Sequence, residues 1–186
     1  MLLARMIAPI HSLGPGQRVG LWFQGCSKHC KECISPEMQI FDESKKVPID
    51  MMISLIKQEA DRNNCYRLTV SGGDPFEQPY ELYELLKGVK EHFFDILVYT
   101  GFTLDEIKKN KTCSRCLEYI DVLIDGKYIA EENRGLSRLY GSSNQRIYFF
   151  NKSLVEEYKE YDSHNGMLEC FIHEDRVIIV GIQRRE

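Results

Sequence analysis

Three cysteines fall within eight residues, Cys26-Ser-Lys-His-Cys30-Lys-Glu-Cys33, in a C-x3-C-x2-C spacing. Thiolates that close in sequence can wrap one metal centre. A structural zinc wants four closed ligands, typically two C-x2-C pairs. Three cysteines instead suit a [4Fe–4S] cube in which one iron lacks a protein ligand and stays open to a substrate or cofactor. A zinc knuckle that takes His29 or a distant cysteine as fourth ligand is the alternative. Ser71-Gly-Gly-Asp-Pro75 follows an apolar run. Paired glycines there let backbone approach a ligand closely, and exposed carbonyls can hold an ammonium group; a tight turn is the plainer reading. Cys113-Ser-Arg-Cys116 has no second pair near it in sequence and reads as structural or incidental. Cys65 and Cys170 stand alone and read as buried thiols.

These groups need a scaffold. Short β-branched or alternating runs at residues 18–23, 66–70, 96–100, 120–124, 146–150, 168–172 and 177–182 predict strands. Between most of them lie helical patterns. Ile49, Met52, Ile53, Ile56 and Ala60 share a face, with Pro48 placed for a first turn. Leu82, Leu85, Leu86 and Val89 mark a second helix over 80–92. Thr103-Leu-Asp-Glu106 is a capping box that starts a third, and residues 152–161 form a weaker fourth. Alternating strand and helix predicts a mainly parallel α/β sheet with right-handed crossovers. Five or so units are too few for a closed barrel, which takes about 250 residues, so an open, partial β/α barrel is expected. Its ligand site should sit at the carboxyl ends of the strands. The last two strands, joined by a His-Glu-Asp-Arg turn, predict a hairpin extension over residues 163–186, packed on a main unit of residues 1–162. Capping the open sheet edge is its expected role; docking a partner is the alternative.

The chain has 186 residues, 24 Lys and Arg against 28 Asp and Glu, and a formal net charge of −4. At 43% hydrophobic residues it can bury a core. Mild acidity argues against nucleic-acid binding. No apolar run is long enough for a membrane span, and the N-terminal segment lacks the core of a signal peptide. The expectation is a cytoplasmic protein, where seven cysteines point to metal or redox chemistry rather than disulfides.

Taken in order, Gly14-Pro-Gly-Gln-Arg18, Phe23-Gln-Gly-Cys26 with the cysteine cluster, and Ser71-Gly-Gly-Asp74 resemble the radical S-adenosylmethionine (SAM) superfamily, in its glycyl-radical-enzyme activating branch. Tyr99-Thr-Gly-Phe-Thr-Leu-Asp-Glu-Ile107, Asp121-Val-Leu-Ile-Asp-Gly-Lys127 and Gly141-Ser-Ser-Asn-Gln-Arg-Ile147 are similar to the members that serve anaerobic ribonucleotide reductase. The resemblance implies the partial barrel of that superfamily, one [4Fe–4S] cluster on Cys26, Cys30 and Cys33, and SAM on the fourth iron. It implies a SAM site at Ser71, Gly72, Gly73 and Asp74, extended by Thr100, Asp125 and Lys127. Thr100, with Gly101, also reads as a plain turn, as does Asp125-Gly-Lys127. Residues 142–145 would line SAM or the partner's glycine loop, or form a solvated loop. The implied activity is reductive SAM cleavage to a 5′-deoxyadenosyl radical that makes a glycyl radical on a partner, anaerobic ribonucleotide reductase. A low-potential flavodoxin or ferredoxin would be the electron donor, with no nucleic acid or membrane partner. A radical SAM enzyme for a peptide or small molecule, and a non-catalytic metal-binding module, are the competing readings. One departure stands out: Glu32 occupies a position where many members have an aromatic residue near the SAM adenine. Gly73→Val should spare the cluster and weaken SAM binding.

Overall fold

The computed structural model describes residues 1–173 and 176–183. Six strands form one sheet in chain order: β1 (Leu3–Ile10), β2 (Arg18–Phe23), β3 (Arg67–Gly72), β4 (Asp95–Tyr99), β5 (Val122–Asp125) and β6 (Arg146–Phe149). Strands β2 to β5 run parallel, and the two edge strands are antiparallel to their neighbours. The crossovers carry α1 (Ile49–Asn63), α2 (Pro79–Val89), and the short pair α3 (Leu104–Lys109) and α4 (Lys111–Cys116). Helix α5 (Val155–Ser163) follows β6, and β7 (Leu168–His173) and β8 (Arg176–Gly181) make a separate two-stranded sheet. The tip of the expected hairpin turn, residues 174–175, and the last three residues lie outside the described residues.

Side chains alternate across the strands with period two. Val19, Leu21 and Phe23 of β2, Leu68 and Val70 of β3, and Ile96 and Val98 of β4 join one core with α1, α2 and α4. Leu97, Val122 and Ile124 point the other way, against Leu154 and Tyr158 at α5. Trp22 joins Ile10, Leu13 and Met38 in a core beneath the hairpin.

Three expectations are corrected. β1 was not foreseen: it is half-buried along most of its length and so shows no clean alternation. The hairpin does not extend either edge of the main sheet. It lies on the face that carries Trp22, where Phe171, Ile178 and Val180 pack, and β1 and β6 remain the edge strands. Pro48 is the cap residue, with an extended ψ of 137°, and α1 begins after it. The capping box forms as read: Thr103 accepts from the Glu106 amide while the Glu106 carboxylate accepts from the Thr103 amide.

The amino ends of the parallel strands are locked by a buried charge pair. Arg18, at the start of β2, donates to Asp95 Oδ2 at 2.6 Å, to Thr69 Oγ1 at 2.6 Å and to the carbonyl of Leu68 at 2.9 Å. Both partners of the ion pair are fully buried. Tyr158 of α5 donates to Asp95 at 2.9 Å, and Arg67 lies 3.3 Å from the same carboxylate. The Gly14-Pro-Gly-Gln-Arg18 motif therefore serves the framework, at the end of the sheet opposite its carboxyl-end loops.

Candidate functional site

A cavity of about 410 Å³ opens at the carboxyl ends of β2 to β5. That volume falls in the ordinary range for small-molecule sites, about 300–1,000 Å³. Cys26, Cys30 and Cys33 line it together with Ser71, Gly72, Gly73, Asp74, Thr100 and Gly101. Motifs far apart in sequence thus meet around one space.

The cysteine loop is closed at its neck. Gly25 donates to the Met38 carbonyl at 2.8 Å and Cys26 to the Gln39 carbonyl at 3.0 Å. Inside the loop His29 and Glu32 adopt left-handed φ values of 43° and 56°. The end of β3 clasps this loop. Gly73 donates to the Phe23 carbonyl at 2.8 Å and Asp74 to the Gly25 carbonyl at 2.9 Å. The Ser27 amide and hydroxyl both donate to Glu77. A Cβ on Gly73 would stand 2.3 Å from the Gly25 oxygen and 2.6 Å from that of Met38. Both are backbone atoms that cannot swing aside, so the expectation for Gly73→Val changes. The variant should displace the cysteine loop and lose iron as well as ligand, about tenfold or more for disrupted support of a metal site. Iron assay after anaerobic reconstitution checks this; full iron with weakened SAM binding would restore the simpler account.

Asp74 is fully buried. Its Oδ1 accepts from the Phe76 amide at 3.0 Å and the Thr100 hydroxyl at 2.8 Å, and its Oδ2 from the Gly101 amide at 2.8 Å. Burial pushes its carboxyl up to about 6 against the pull of those bonds. The side chain thereby ties the end of β3 to the end of β4. Asp125 and Lys127 lie outside the residues that line the cavity. Asp125 Oδ2 accepts from the Leu104 amide at 2.6 Å and caps α3. Lys127 is near enough to Cys30 to lower its thiol pKa, against a net upward shift led by burial and the Cys33 charge. Of residues 142–145, only Gln145 reaches the cavity; it donates to the Gly126 carbonyl at 3.0 Å, while Asn144 donates to that of Lys127 at 2.8 Å.

Sequence reasoning missed other lining residues, including Tyr128, Gln39 and residues 181–183. Tyr128 had one legible signal, an aromatic ring just after a glycine turn at a strand end. Gln183 had none, because its place depends on how the hairpin folds back.

The three thiols are free and face one space, which is the soft donor set an iron–sulfur cluster takes. Among the described residues no three ligating side chains gather about a single point, whereas a cube needs its sulfur ligands spread over separate irons. Burial pushes Cys26 up to about 11, with Asp74, Cys30 and Glu77 adding to it, even though the Lys28 amide donates to its sulfur at 3.4 Å. Ligation must therefore displace protons from neutral thiols. Cys113 and Cys116 line no part of this space; both are buried on α4. Cys170 corrects the sequence reading, since it is exposed.

A family model described as a 4Fe-4S single cluster domain matches residues 12–148, which take in all three cavity cysteines and the β3 end. The chain is thus an iron–sulfur protein of the single-cluster type. The anaerobic ribonucleoside-triphosphate reductase-activating protein of Pasteurella multocida is 35% identical over 150 residues, covering 74% of this chain and 90% of that protein. Its counterpart in Haemophilus influenzae is 36% identical over 143 residues with the same coverage. That of Enterobacteria phage T4 is 32% identical over 140 residues, covering 73% and 85%. The chain belongs to the family of these anaerobic ribonucleoside-triphosphate reductase-activating proteins. Among the described residues no helix is long and apolar enough to cross a membrane.

Proposed function

We propose that this protein is a radical SAM activase that generates a glycyl radical on anaerobic ribonucleotide reductase. The observation that carries the reading is the meeting of Cys26, Cys30 and Cys33 with the glycine-rich end of β3 around one cavity. The three thiols would hold the cluster, and SAM would lie along residues 71–74. When bound, the cluster and SAM would supply the one-electron chemistry needed to remove a hydrogen from the Cα of the partner's glycine.

The chain's own residues bind, orient and shield. Backbone at Ser71, Gly72 and Gly73 borders the cavity without bulky side chains, suiting the ammonium end of SAM. Asp74 acts by holding Thr100 and Gly101 in place, and Thr100 in turn accepts from the Phe102 amide at 3.1 Å. Asp125 acts at one remove through α3, and Lys127 through its charge beside Cys30. With Glu32 in the usual aromatic position, Tyr128 is the ring for the adenine. It lines the cavity, and its hydroxyl accepts from Asn133 at 3.2 Å.

The sheet is best taken as an open segment of a β/α barrel, since its strands follow chain order and α1, α2 and α4 pack on one face. Residues 163–186 extend that unit. Free thiols throughout the chain fit the reducing cytoplasm. A low-potential flavodoxin or ferredoxin is the donor, with neither nucleic acid nor membrane as partner.

The test is anaerobic reconstitution with iron and sulfide, reduction, and addition of SAM. About four irons per chain with 5′-deoxyadenosine, and a glycyl-radical signal once the reductase is added, are expected. Zinc in place of iron with no cleavage would mean a metal-binding module. Cleavage without any effect on the reductase would mean another peptide or small-molecule substrate.

A further inference from the structure

The register of the hairpin sorts its side chains onto two faces. Glu169 pairs with Val180 and Phe171 with Ile178 on one; Leu168 with Gly181, Cys170 with Ile179 and Ile172 with Val177 on the other. The first face is anchored. Phe171, Ile178 and Val180 pack near Ile10, Leu13 and Trp22. Glu169 accepts from the His11 and Ser12 amides, each at 2.8 Å, and Ser12 donates to the Val180 carbonyl at 3.1 Å. Burial alone would raise the Glu169 carboxyl, but these bonds hold it below its ordinary value.

The second face is largely open to solvent among the described residues. Leu168 is 51% exposed, Ile172 83%, Val177 66% and Ile179 55%. The apolar strip from Leu168 to Ile172 is about 13 Å long at the strand rise of ~3.3 Å per residue. Its inner end is at the site. Gly181, opposite Leu168, lines the cavity with Ile182 and Gln183, and Asn133 donates to the Gln183 carbonyl at 3.0 Å. The hairpin also lies beyond the residues that the single-cluster family model matches.

We propose that this strip is the docking track for the polypeptide that carries the target glycine. The inference rests on the function proposed above and adds where the macromolecule binds. An apolar segment laid along Leu168, Ile179, Ile172 and Val177 leads straight to the cavity wall at residues 181–183. A second copy of this chain fits less well. The strip offers only Leu168, Ile172, Val177, Ile179 and Cys170, against the roughly 20–30 residues a side of a stable interface. A short, transient track matches a catalyst that must release its product.

Ile179→Asp and Val177→Asp place charge on the outer face and leave the anchored one untouched. The cluster-loaded variants should make 5′-deoxyadenosine from SAM alone at the wild-type rate. Their apparent affinity for the reductase, read from glycyl-radical formation against reductase concentration, should fall at least tenfold, with Ile179→Val close to wild type. Cys170 supplies a second readout at the centre of the strip: alkylation of its thiol in the cluster-loaded protein should slow when reductase is added. Wild-type activation by both Asp variants, or Cys170 labelling indifferent to reductase, overturns the track. So does a wild-type dimer that the Asp variants convert to monomer in sedimentation, which would assign the strip to a second copy. Wild-type protein that cleaves SAM but never activates the reductase sinks the function and the track together.

Discussion

Alanine at Cys26, Cys30 or Cys33 is expected to abolish the cluster, taking iron from about four per chain to a small residue and removing SAM cleavage with it. A cluster that already leaves one iron for a cofactor has three protein ligands, and loss of any one leaves only two. Among the described residues no other cysteine lines the cavity to take the lost place. Cys113 and Cys116 are buried on α4 and line no part of the cavity. Burial pushes both thiols up, Cys116 to about 12, with the Cys113 charge adding to it. Cys113→Ala and Cys116→Ala should therefore keep full iron and full cleavage. Iron and sulfide assays with the low-temperature electron spin resonance of the reduced protein check both halves. Halved iron in Cys113→Ala would mean a second cluster.

Arg18→Met should destabilise the fold by about 3–5 kcal/mol, the usual cost of leaving a buried charge without its partner. For a chain of this size that is roughly 10 °C in Tm. Burial by itself would weaken the guanidinium's charge, yet the Tyr158 and Asp95 oxygens hold its pKa above the ordinary value. Removing it strands Asp95 with Arg67 at 3.3 Å and the Tyr158 hydroxyl as its remaining support. Thermal unfolding of the apo protein reads the loss. Arg18→Met combined with Asp95→Leu should recover part of it, because the pair is replaced by apolar packing rather than broken. Because Arg18 lies at the amino end of β2, chains that fold should bind iron as wild type does. Selective loss of iron at unchanged Tm would move Arg18 from the framework to the site.

Much of this protein was legible in local pattern. Short β-branched or alternating apolar runs marked β2 through β5, and the capping box at Thr103 marked α3. Spacing singled out Cys26, Cys30 and Cys33, and the glycine pair singled out the end of β3. Such signals survive in sequence because backbone geometry imposes them over a few residues. Weaker or shorter elements escaped it. β1 lacks clean alternation, and α4 spans six residues whose apolar face is the Cys113–Cys116 pair.

What a polar side chain does was settled elsewhere. Asp74, Asp95 and Asp125 are chemically identical, yet one joins two loops, one neutralises an arginine 77 positions away, and one caps a helix 21 positions back. A carboxylate accepts from whichever donors surround it once water is gone, and in a parallel sheet those donors come from other crossovers. The sequence by itself determined the chemistry available and the sheet that would carry it. Tertiary structure alone decided which carboxylates serve the framework, how the cysteine loop is clasped by β3, and where the hairpin lies.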